Sequence, residues 1–157
     1  MRYKKKPKPV PASSPVILYD DREKNHWVLP WEMKKKRLKV GDYTFEGYED
    51  KVAIEKKSGI AELFKNLTAK ERPRFVRMLK KLSKYEYKCI IVEDAITDIH
   101  LVYHTMKKKA PKMELTPNTI FYWIGRITFD YKIPIIFSGN RALIDMLFME
   151  AYKQCTS

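Results

Sequence analysis

Hydrophobic positions recur along this chain with two periods, one near two that is typical of strands and one near 3.6 that is typical of helices. Strand patterns come first, and strands and helices then alternate. Strands are predicted at 15–19, 37–40, 41–47, 50–57, 88–93 and 133–137. Helices are predicted after Ser58 and after Pro73, and at 96–104, 117–130 and 140–153. This order predicts an α/β fold in which a mixed β-sheet is flanked by helices on both faces.

The first two predicted helices each have one apolar face. Ser58 is the predicted N-cap of the first helix, whose apolar face is Ile60, Leu63, Phe64 and Leu67. The core face of the helix after Pro73 is Phe75, Met78, Leu79 and Leu82. The rest of its surface is cationic, with Arg72, Arg74, Arg77, Lys80, Lys81 and Lys84. Such a helix packs on a sheet with one side and presents positive charge to solvent with the other.

The segment VAIEKKSG at 52–59 places three charged residues directly after a buried-strand pattern. Alternate side chains of a strand share a face, so Glu55 and Lys57 are predicted to point the same way. The segments 41–47 and 50–57 are predicted to form a hairpin. Antiparallel pairing would bring Asp42, at the start of one strand, close to Glu55. Two carboxylates and an ammonium group are therefore predicted to converge at one end of the sheet.

Two neighbouring carboxylates repel each other, and a hard cation such as Mg²⁺ relieves that repulsion. A metal ion bound there can polarise a phosphoryl oxygen and supply hydroxide at neutral pH. Lys57 is placed to hold the attacking water or to stabilise negative charge on the phosphate. These are the groups that a phosphodiester hydrolase requires.

The charge balance indicates a polyanionic partner. The 157 residues include 32 Lys and Arg against 19 Asp and Glu, which gives a formal net charge of +13. A field of this sign attracts nucleic acid. The alternatives are a basic surface that only confers solubility and an anionic membrane surface.

Residues 1–14 combine lysine with proline and are predicted to form a flexible basic arm, followed by one folded domain at 15–157. The arm either contacts phosphates or serves only solubility. No apolar run approaches the roughly 18–20 residues of a membrane span, and no secretory signal is recognisable. Cys89 and Cys155 follow no disulfide or metal-binding pattern, which favours a reducing, intracellular location such as a bacterial or host cytoplasm or nucleoid.

Five segments occur in an order seen in a known nuclease family. They are YDDRE (19–23), VGDY (40–43), VAIEKKS (52–58), RFVRMLKKL (74–82) and CIIVE (89–93). Together they resemble the XPF-like structure-specific nucleases, whose hallmark is GD, a variable gap and ERK. The resemblance covers roughly residues 16–140 and is greatest to the short stand-alone phage and prokaryotic versions. It implies the restriction-endonuclease-like PD-(D/E)XK fold and an endonuclease that depends on Mg²⁺ or Mn²⁺.

The resemblance implies roles for the residues that match these motifs. Asp42 and Glu55 match the metal-binding carboxylates, and the backbone carbonyl of Lys56 matches a further metal ligand. Lys57 matches the catalytic lysine.

A second element, at residues 20–23, matches the family's D-x-R-E motif beside the metal site. The match implies that Asp20 is a metal ligand or lies next to one, and that Arg22 contacts phosphate. Glu23 and Glu93 are further acidic candidates, for each of which an internal ion pair is the alternative.

The sequence departs from the family pattern at two positions. Lys56 stands where the family has Arg, which keeps the charge but loses the planar fork that grips phosphate. The acidic residue after the ERK motif is displaced, because Ala61 precedes Glu62. Either Glu62 takes that role through a one-residue insertion, or it is an exposed glutamate favoured by the helix dipole.

The combined interpretation is a metal-dependent DNA endonuclease that acts on branched, flap or junction DNA. The alternatives are a Holliday-junction resolvase of the same fold, a sequence-specific restriction enzyme and a catalytically silent DNA-binding module. A predicted basic loop at 107–115 is either a solvated run or a phosphate clamp. The predicted DNA contacts are Arg22, Lys56, Arg72, Arg74, Arg77, Lys107, Lys108 and Lys109.

The C-terminal half carries more apolar surface than one face of a sheet would cover. In the helix at 117–130, Phe121, Tyr122 and Phe129 lie off the face that is predicted to pack on the sheet. These residues predict a homodimer interface, and the resemblance also allows a heterodimer with a related nuclease subunit. The alternative is a three-layer core that covers both helix faces within one chain.

Overall fold

The structure, a computed structural model, describes residues 14–157, which contain a six-stranded mixed sheet. The strands are β1 (Val16–Asp20), β2 (Glu32–Lys36), β3 (Tyr43–Phe45), β4 (Val52–Lys57), β5 (Tyr87–Val92) and β6 (Ile135–Phe137). Their order across the sheet is β2-β1-β3-β4-β5-β6. Strand β3 is antiparallel to both β1 and β4, and the remaining neighbours pair in parallel. The predicted hairpin is the β3–β4 pair.

Helices cover both faces of this sheet. They are α1 (Ile60–Asn66), α2 (Arg72–Leu82), α3 (Ile99–Lys109), α4 (Pro117–Phe129) and α5 (Arg141–Thr156), and a 3₁₀ turn at Ile96–Asp98 leads into α3. Helices α1 to α4 pack on one face, around Ala53 and Ile90. Helix α5 covers the other face together with Trp27, around Ile54 and Ile91. The predicted α/β fold, with a mixed sheet between two helical layers, is confirmed.

Strand β4 divides its side chains between the two layers. Ala53 packs with α1 to α4, and Lys57 on the same face lies against the Phe75 ring of α2. Ile54 packs with α5, and Lys56 on that face lies over Trp27. The alternation of side chains between the two faces of the sheet therefore continues into the charged end of the strand.

The predicted strand at 37–40 is wrong, because the second strand is β2 and residues 37–40 are irregular. The β2 sequence, EMKKK, lacks an apolar alternation because β2 is an exposed edge strand. Charged side chains on such an edge also discourage pairing with other chains. Leu38 is buried, but its N–H donates to Oδ1 of Asp20 at 2.9 Å instead of to a neighbouring strand.

Two helix boundaries also differ from the predictions. Helix α1 has Gly59 as its N-cap, one residue after Ser58, and the Ile60 N–H donates to Oδ2 of Asp94 at 2.7 Å. Helix α3 continues to its end at Lys109, so the predicted loop at 107–115 begins only after it. Three lysines thus form the last turn of α3, where the helix dipole favours positive charge.

The predicted basic arm at 1–14 lies outside the described residues except for Ser14, which is exposed. Within residues 14–157, no helix has the length and apolar character that crossing a membrane requires.

Candidate active site

The turn into β3 places Asp42 beside the end of β4. Gly41 has a φ of +78°, and a Cβ at this position would lie 3.1 Å from the Ile54 carbonyl oxygen, so glycine fits with the least strain. The Asp42 N–H donates to that same oxygen at 2.9 Å, and Tyr43 pairs with Ile54 across the hairpin. This register sets Asp42 opposite Glu55, the residue that follows Ile54.

Asp42 and Glu55 form a half-buried carboxylate pair. Oδ2 of Asp42 accepts a hydrogen bond from the Lys56 N–H at 2.8 Å. Burial, and after it the charge of Glu55, raise the pKa of Asp42 to about 8. Burial also raises the pKa of Glu55, against the opposing effect of the Lys57 ammonium group. Two carboxyl groups that both resist ionisation form a site at which a divalent cation would replace a proton.

Lys57 is held between two acidic side chains on the same side of the sheet. Its Nζ lies 3.4 Å from Oε1 of Glu55 and 3.6 Å from Oε1 of Glu62. Only 7% of the Lys57 side chain is exposed, so the ammonium group has a defined position instead of a solvated one. An ammonium group fixed in this way can contact a substrate oxygen or a water molecule beside the carboxylate pair.

Glu62 belongs to this group of charges. Its Oε1 contacts Lys57, and its Oε2 accepts hydrogen bonds from the Ser58 N–H at 2.6 Å and the Ser58 hydroxyl at 3.0 Å. It also lies in the first turn of α1, where the helix dipole favours an acidic side chain. The contact with Lys57 agrees with a role of Glu62 in the site, and its position in the first turn of α1 agrees with the alternative, a glutamate favoured by the helix dipole.

Asp20 binds Arg22 at the end of β1. Oδ2 of Asp20 accepts from Nε of Arg22 at 2.8 Å, and Oδ1 accepts from Nη2 at 3.2 Å and from the Leu38 N–H at 2.9 Å. Burial alone would raise the pKa of Asp20, but the hydrogen bonds from Arg22 and Leu38 hold it below its usual value. Because both carboxylate oxygens already have donors, Asp20 serves to fix the guanidinium group of Arg22.

The Lys56 side chain points to the other face of the sheet, and the structure does not bring its ammonium group together with the carboxylate pair. This side chain is 7% exposed. Its Nζ neighbours are Oε1 of Glu93 at 3.6 Å, Oε1 of Glu23 at 4.0 Å, the carbonyl oxygen of Asn25 and the Trp27 ring. Glu23 and Glu93 therefore both take part in internal ion pairs.

A cleft of about 360 Å³ opens beside the carboxylate pair. Among its lining residues are Asp20, Arg22, Glu23, Asp42 and Glu55 on one side, and Arg74, Arg77, Met78 and Lys81 of α2 on the other. A second cleft of about 350 Å³ shares Glu55, Arg74 and Met78 with the first and also contains Lys57 and Glu62. Glu55 therefore lines both clefts, which are separated by side chains of α2.

Two cations of the cleft, Lys39 and Lys81, are absent from the predicted DNA contacts. Lys81 follows Arg74 and Arg77 at seven and four residues, and this helical spacing on a cationic face could have identified it. Lys39 lies in an irregular segment, where no periodicity marks it.

Several predicted DNA contacts lie away from these two clefts. Nε of Arg72 donates to the Leu67 carbonyl oxygen at 3.2 Å, and Nζ of Lys107 donates to the Met113 carbonyl oxygen at 2.6 Å. Neither residue lines the first or the second cleft, and Lys108 and Lys109 do not line them either.

The donor set suits a hard cation. Among residues 14–157, no three His, Cys, Asp or Glu side chains converge as a metal centre. The oxygen donors expected from the sequence are the carboxylates of Asp42 and Glu55 and the backbone carbonyl of Lys56, whose N–H lies 2.8 Å from Oδ2 of Asp42. Mg²⁺ is typically held by one or two carboxylates and keeps several water ligands, so this donor set fits it.

A mixed sheet between helical layers, with two carboxylates and a lysine at the end of one hairpin, is the arrangement expected for the restriction-endonuclease-like fold. The sequence matches the ERCC4 domain over residues 20–147. The chain therefore belongs to the ERCC4-domain family, that of the XPF nucleases.

Two solved structures of XPF from Aeropyrum pernix share this fold at 19% sequence identity. One has a TM-score of 0.59 and is matched over 91% of this chain and 62% of its own. The other, a complex with DNA, has a TM-score of 0.63 and is matched over 90% of this chain and 66% of its own. The chain thus spans just under two thirds of the length of either structure. A comparison with curated proteins gives no significant match.

Proposed function

We propose that the protein is a divalent-metal-dependent endonuclease that hydrolyses phosphodiester bonds in DNA. The observation that carries this proposal is the half-buried pair of Asp42 and Glu55, with Lys57 in contact with Glu55, in a cleft whose other wall is cationic. Carboxylates alone would repel a phosphate, and the cations of α2 supply the attraction that offsets this repulsion. Membership of the ERCC4-domain family supports a nuclease.

Each residue of the site has a proposed role. Asp42, Glu55 and the backbone carbonyl of Lys56 would hold Mg²⁺ or Mn²⁺, which when bound polarises a phosphoryl oxygen and lowers the pKa of water. Lys57, fixed by two acidic neighbours, stabilises negative charge on the phosphate or orients the attacking water. Arg22, held by Asp20 at the edge of the cleft, contacts a phosphate oxygen.

The proposed DNA-binding surface is the cationic face of α2, extended by Lys39. Among residues 14–157, Arg77 and Lys81 have no carboxylate within salt-bridge distance. On β2, by contrast, Lys34 and Lys36 pair with Glu46 and Glu49 at 3.1 and 3.2 Å. A free cation can neutralise a phosphate without first breaking an ion pair, so α2 is favoured over β2 as the contact with DNA.

The proposed substrate is branched, flap or junction DNA, and the alternative is a four-way junction cleaved by a resolvase of the same fold. A gel assay with Mg²⁺ and flap, fork, four-way and duplex DNA of matched length distinguishes the two. Cleavage of flap or fork DNA ahead of duplex is the expected result. Preferential cleavage of the four-way junction would indicate a resolvase, and binding to all four without cleavage would indicate a catalytically silent module.

We further infer that the protein acts inside the cell, as a homodimer or with a related nuclease subunit. The free thiols of Cys89 and Cys155 agree with a reducing compartment. Phe121, Tyr122 and Phe129 on α4 are 42%, 59% and 77% exposed. A cluster of exposed aromatic side chains marks an interaction site, and a two-fold pair would set two active sites at a fixed spacing on a branched duplex.

A further inference from the structure

The proposed cleavage chemistry uses the backbone carbonyl of Lys56 and gives no role to its side chain. Lys56 lies between Glu55 and Lys57 in β4, yet its side chain enters the opposite layer and is 7% exposed. Burying an ammonium group is costly unless opposite charges and hydrogen bonds replace its water. The groups that replace water here come from Glu93, directly after β5, and from the loop that follows β1, residues 21–29.

This 21–29 loop and Glu93 surround the ammonium group. Nζ of Lys56 donates to the carbonyl oxygen of Asn25 and lies 4.0 Å from Oε1 of Glu23 and 5.3 Å from the centroid of the Trp27 ring. Oε1 of Glu93 lies 3.6 Å from Nζ and accepts a hydrogen bond from Nε1 of Trp27 at 2.5 Å. One ammonium group and one carboxylate thus tie the loop to the ends of two central strands.

Other attachments of the loop before Trp27 lie at its two ends. The Asp21 N–H donates to the Lys36 carbonyl oxygen at 3.1 Å, Nη2 of Arg22 donates to the Leu38 carbonyl oxygen at 2.9 Å, and the His26 ring stacks on Tyr19. Asp21, Arg22, Lys24 and Asn25 are exposed. Trp27 is buried, stacks on Tyr43 with a centroid distance of 5.1 Å and donates its backbone N–H to the Tyr43 hydroxyl at 2.7 Å. Between these attachments, Lys56 provides a main-chain anchor at Asn25.

We propose that Lys56 is a positioning residue that holds the 21–29 loop so that Arg22 and Glu23 stay at the edge of the active-site cleft. Both residues line the cleft that contains Asp42 and Glu55. In this role Lys56 supports the backbone next to Arg22, whose guanidinium group is itself held by Asp20 and the Leu38 carbonyl oxygen, and Lys56 makes no direct contact with DNA. The effect on DNA binding rests on the proposed function, whereas the anchoring of the loop does not.

The anchoring is tested by hydrogen exchange on a variant that carries both Lys56→Met and Glu93→Gln. Removing both charges together leaves only the Glu23 carboxylate, which is 21% exposed, without its cation, so folding is preserved better than in either single variant. The matched control is Lys36→Met with Glu49→Gln, which removes an ion pair from the exposed strand β2.

Amides of residues 21–27 are expected to exchange about tenfold faster in the Lys56/Glu93 variant, with β4 and β5 unchanged. The control variant is expected to exchange like the parent protein in this loop. An unchanged loop, or an equal acceleration throughout the chain, would overturn the proposal.

The consequence for DNA is tested by measuring affinity for flap DNA in EDTA, where cleavage does not interfere. The Lys56/Glu93 variant and Arg22→Ala are each expected to bind about tenfold more weakly, the size of one charge-assisted phosphate contact. Their combination is expected to bind no more weakly than Arg22→Ala alone, because both changes act through the same guanidinium group.

A further loss of affinity in the Arg22→Ala background would mean that Lys56 contacts phosphate directly, and it would overturn the positioning role. Unchanged affinity of the Lys56/Glu93 variant, where Arg22→Ala binds more weakly, would overturn it as well. Failure of the parent protein to bind flap DNA would contradict the proposed function alone, and the exchange experiment would then decide the role of Lys56.

Discussion

At the scale of single residues, two adjacent lysines of β4 form ion pairs with two separate groups of acidic side chains. Lys57 contacts Glu55 and Glu62 on the face that carries the proposed chemistry, whereas Lys56 contacts Glu93 on the other face. The strand alternation thus places one lysine where it can act on a substrate and the other where it can support the structure. Asp42 differs from them, because the charge that most affects it is the carboxylate of Glu55, and its effect on stability is therefore expected to depend on pH.

Replacing Asp42 by asparagine is expected to stabilise the metal-free protein at high pH. The pKa of Asp42 is 3.8 before folding and about 8 in the folded protein, so the folded state binds the proton more tightly. As the pH rises between these values, the unfolded chain loses the proton first, and the contribution of Asp42 to stability is lost. An asparagine side chain does not titrate, and the substitution removes the charge that repels Glu55.

Thermal unfolding of Asp42→Asn and the parent protein in EDTA, at one pH above 8 and one near 4, measures this difference. Above pH 8 the variant should be more stable by at least ~1 kcal/mol, or about 2–4 °C in Tm. Near pH 4 the gap should shrink. A variant that is less stable than the parent protein at high pH would show that the carboxylate pair is not strained by repulsion.

A second residue-scale prediction concerns Gly41. Alanine at this position would have to adopt a φ of +78° with its Cβ 3.1 Å from the Ile54 carbonyl oxygen, so Gly41→Ala should cost ~1–3 kcal/mol. Gly125, inside α4, is the control because a Cβ there meets no atom within 4 Å. Gly125→Ala should stabilise the protein by about 0.5–1 kcal/mol. Equal effects in urea unfolding would contradict the strained turn before Asp42.

At the scale of elements, the sequence predicts the elements that have an apolar period and misses the others. The β3–β4 hairpin and α4 follow from alternation and from the Thr116–Pro117 helix start. Strand β2 is not predicted because it lies at the edge of the sheet and pairs with β1 alone among the described strands. Its side chains are mostly exposed, so its sequence shows no apolar alternation.

In the candidate site, too, some contacts could be predicted from the sequence and others could not. The proximity of Asp42 and Glu55 follows from the antiparallel register, which is local in sequence. The partners of Lys56 do not follow from any local pattern, because Trp27 lies 29 residues before it and Glu93 lies 37 residues after it. Contacts over such separations depend on the order of strands in the sheet, and sequence periodicity does not give that order.

The cationic face of α2 leads to the prediction at this scale. Arg77→Gln combined with Lys81→Gln should weaken binding to duplex DNA and reduce the slope of log affinity against log salt by about 2. The control, Lys34→Gln with Lys36→Gln, removes the same charge from β2, where both cations have acidic partners. A titration in which the two pairs of substitutions have equal effects would mean that only net charge matters.

At the scale of the whole molecule, the apolar surface of α4 leads to a prediction about assembly. Light scattering is expected to give a mass of twice the chain mass of 18.7 kDa. The double substitution Phe121→Asp with Phe129→Asp should reduce the measured mass to that of a single chain. Val28→Asp is the control, since Val28 is 79% exposed and follows Trp27, which packs on the other side of the sheet. A parent protein with the mass of one chain would contradict the dimer.

The central claim is that Asp42, Glu55 and Lys57 form a metal-dependent nuclease site, and cleavage of a labelled flap substrate tests it most directly. The parent protein should cut in Mg²⁺ and stop in excess EDTA. Glu55→Gln and Lys57→Ala should each lose at least about a hundredfold in rate while retaining folding and DNA affinity. Glu49→Gln, which removes the partner of Lys36 on the exposed strand β2, should cut like the parent protein. Near-parental cleavage by both site variants, or undiminished cleavage in EDTA, would contradict the claim.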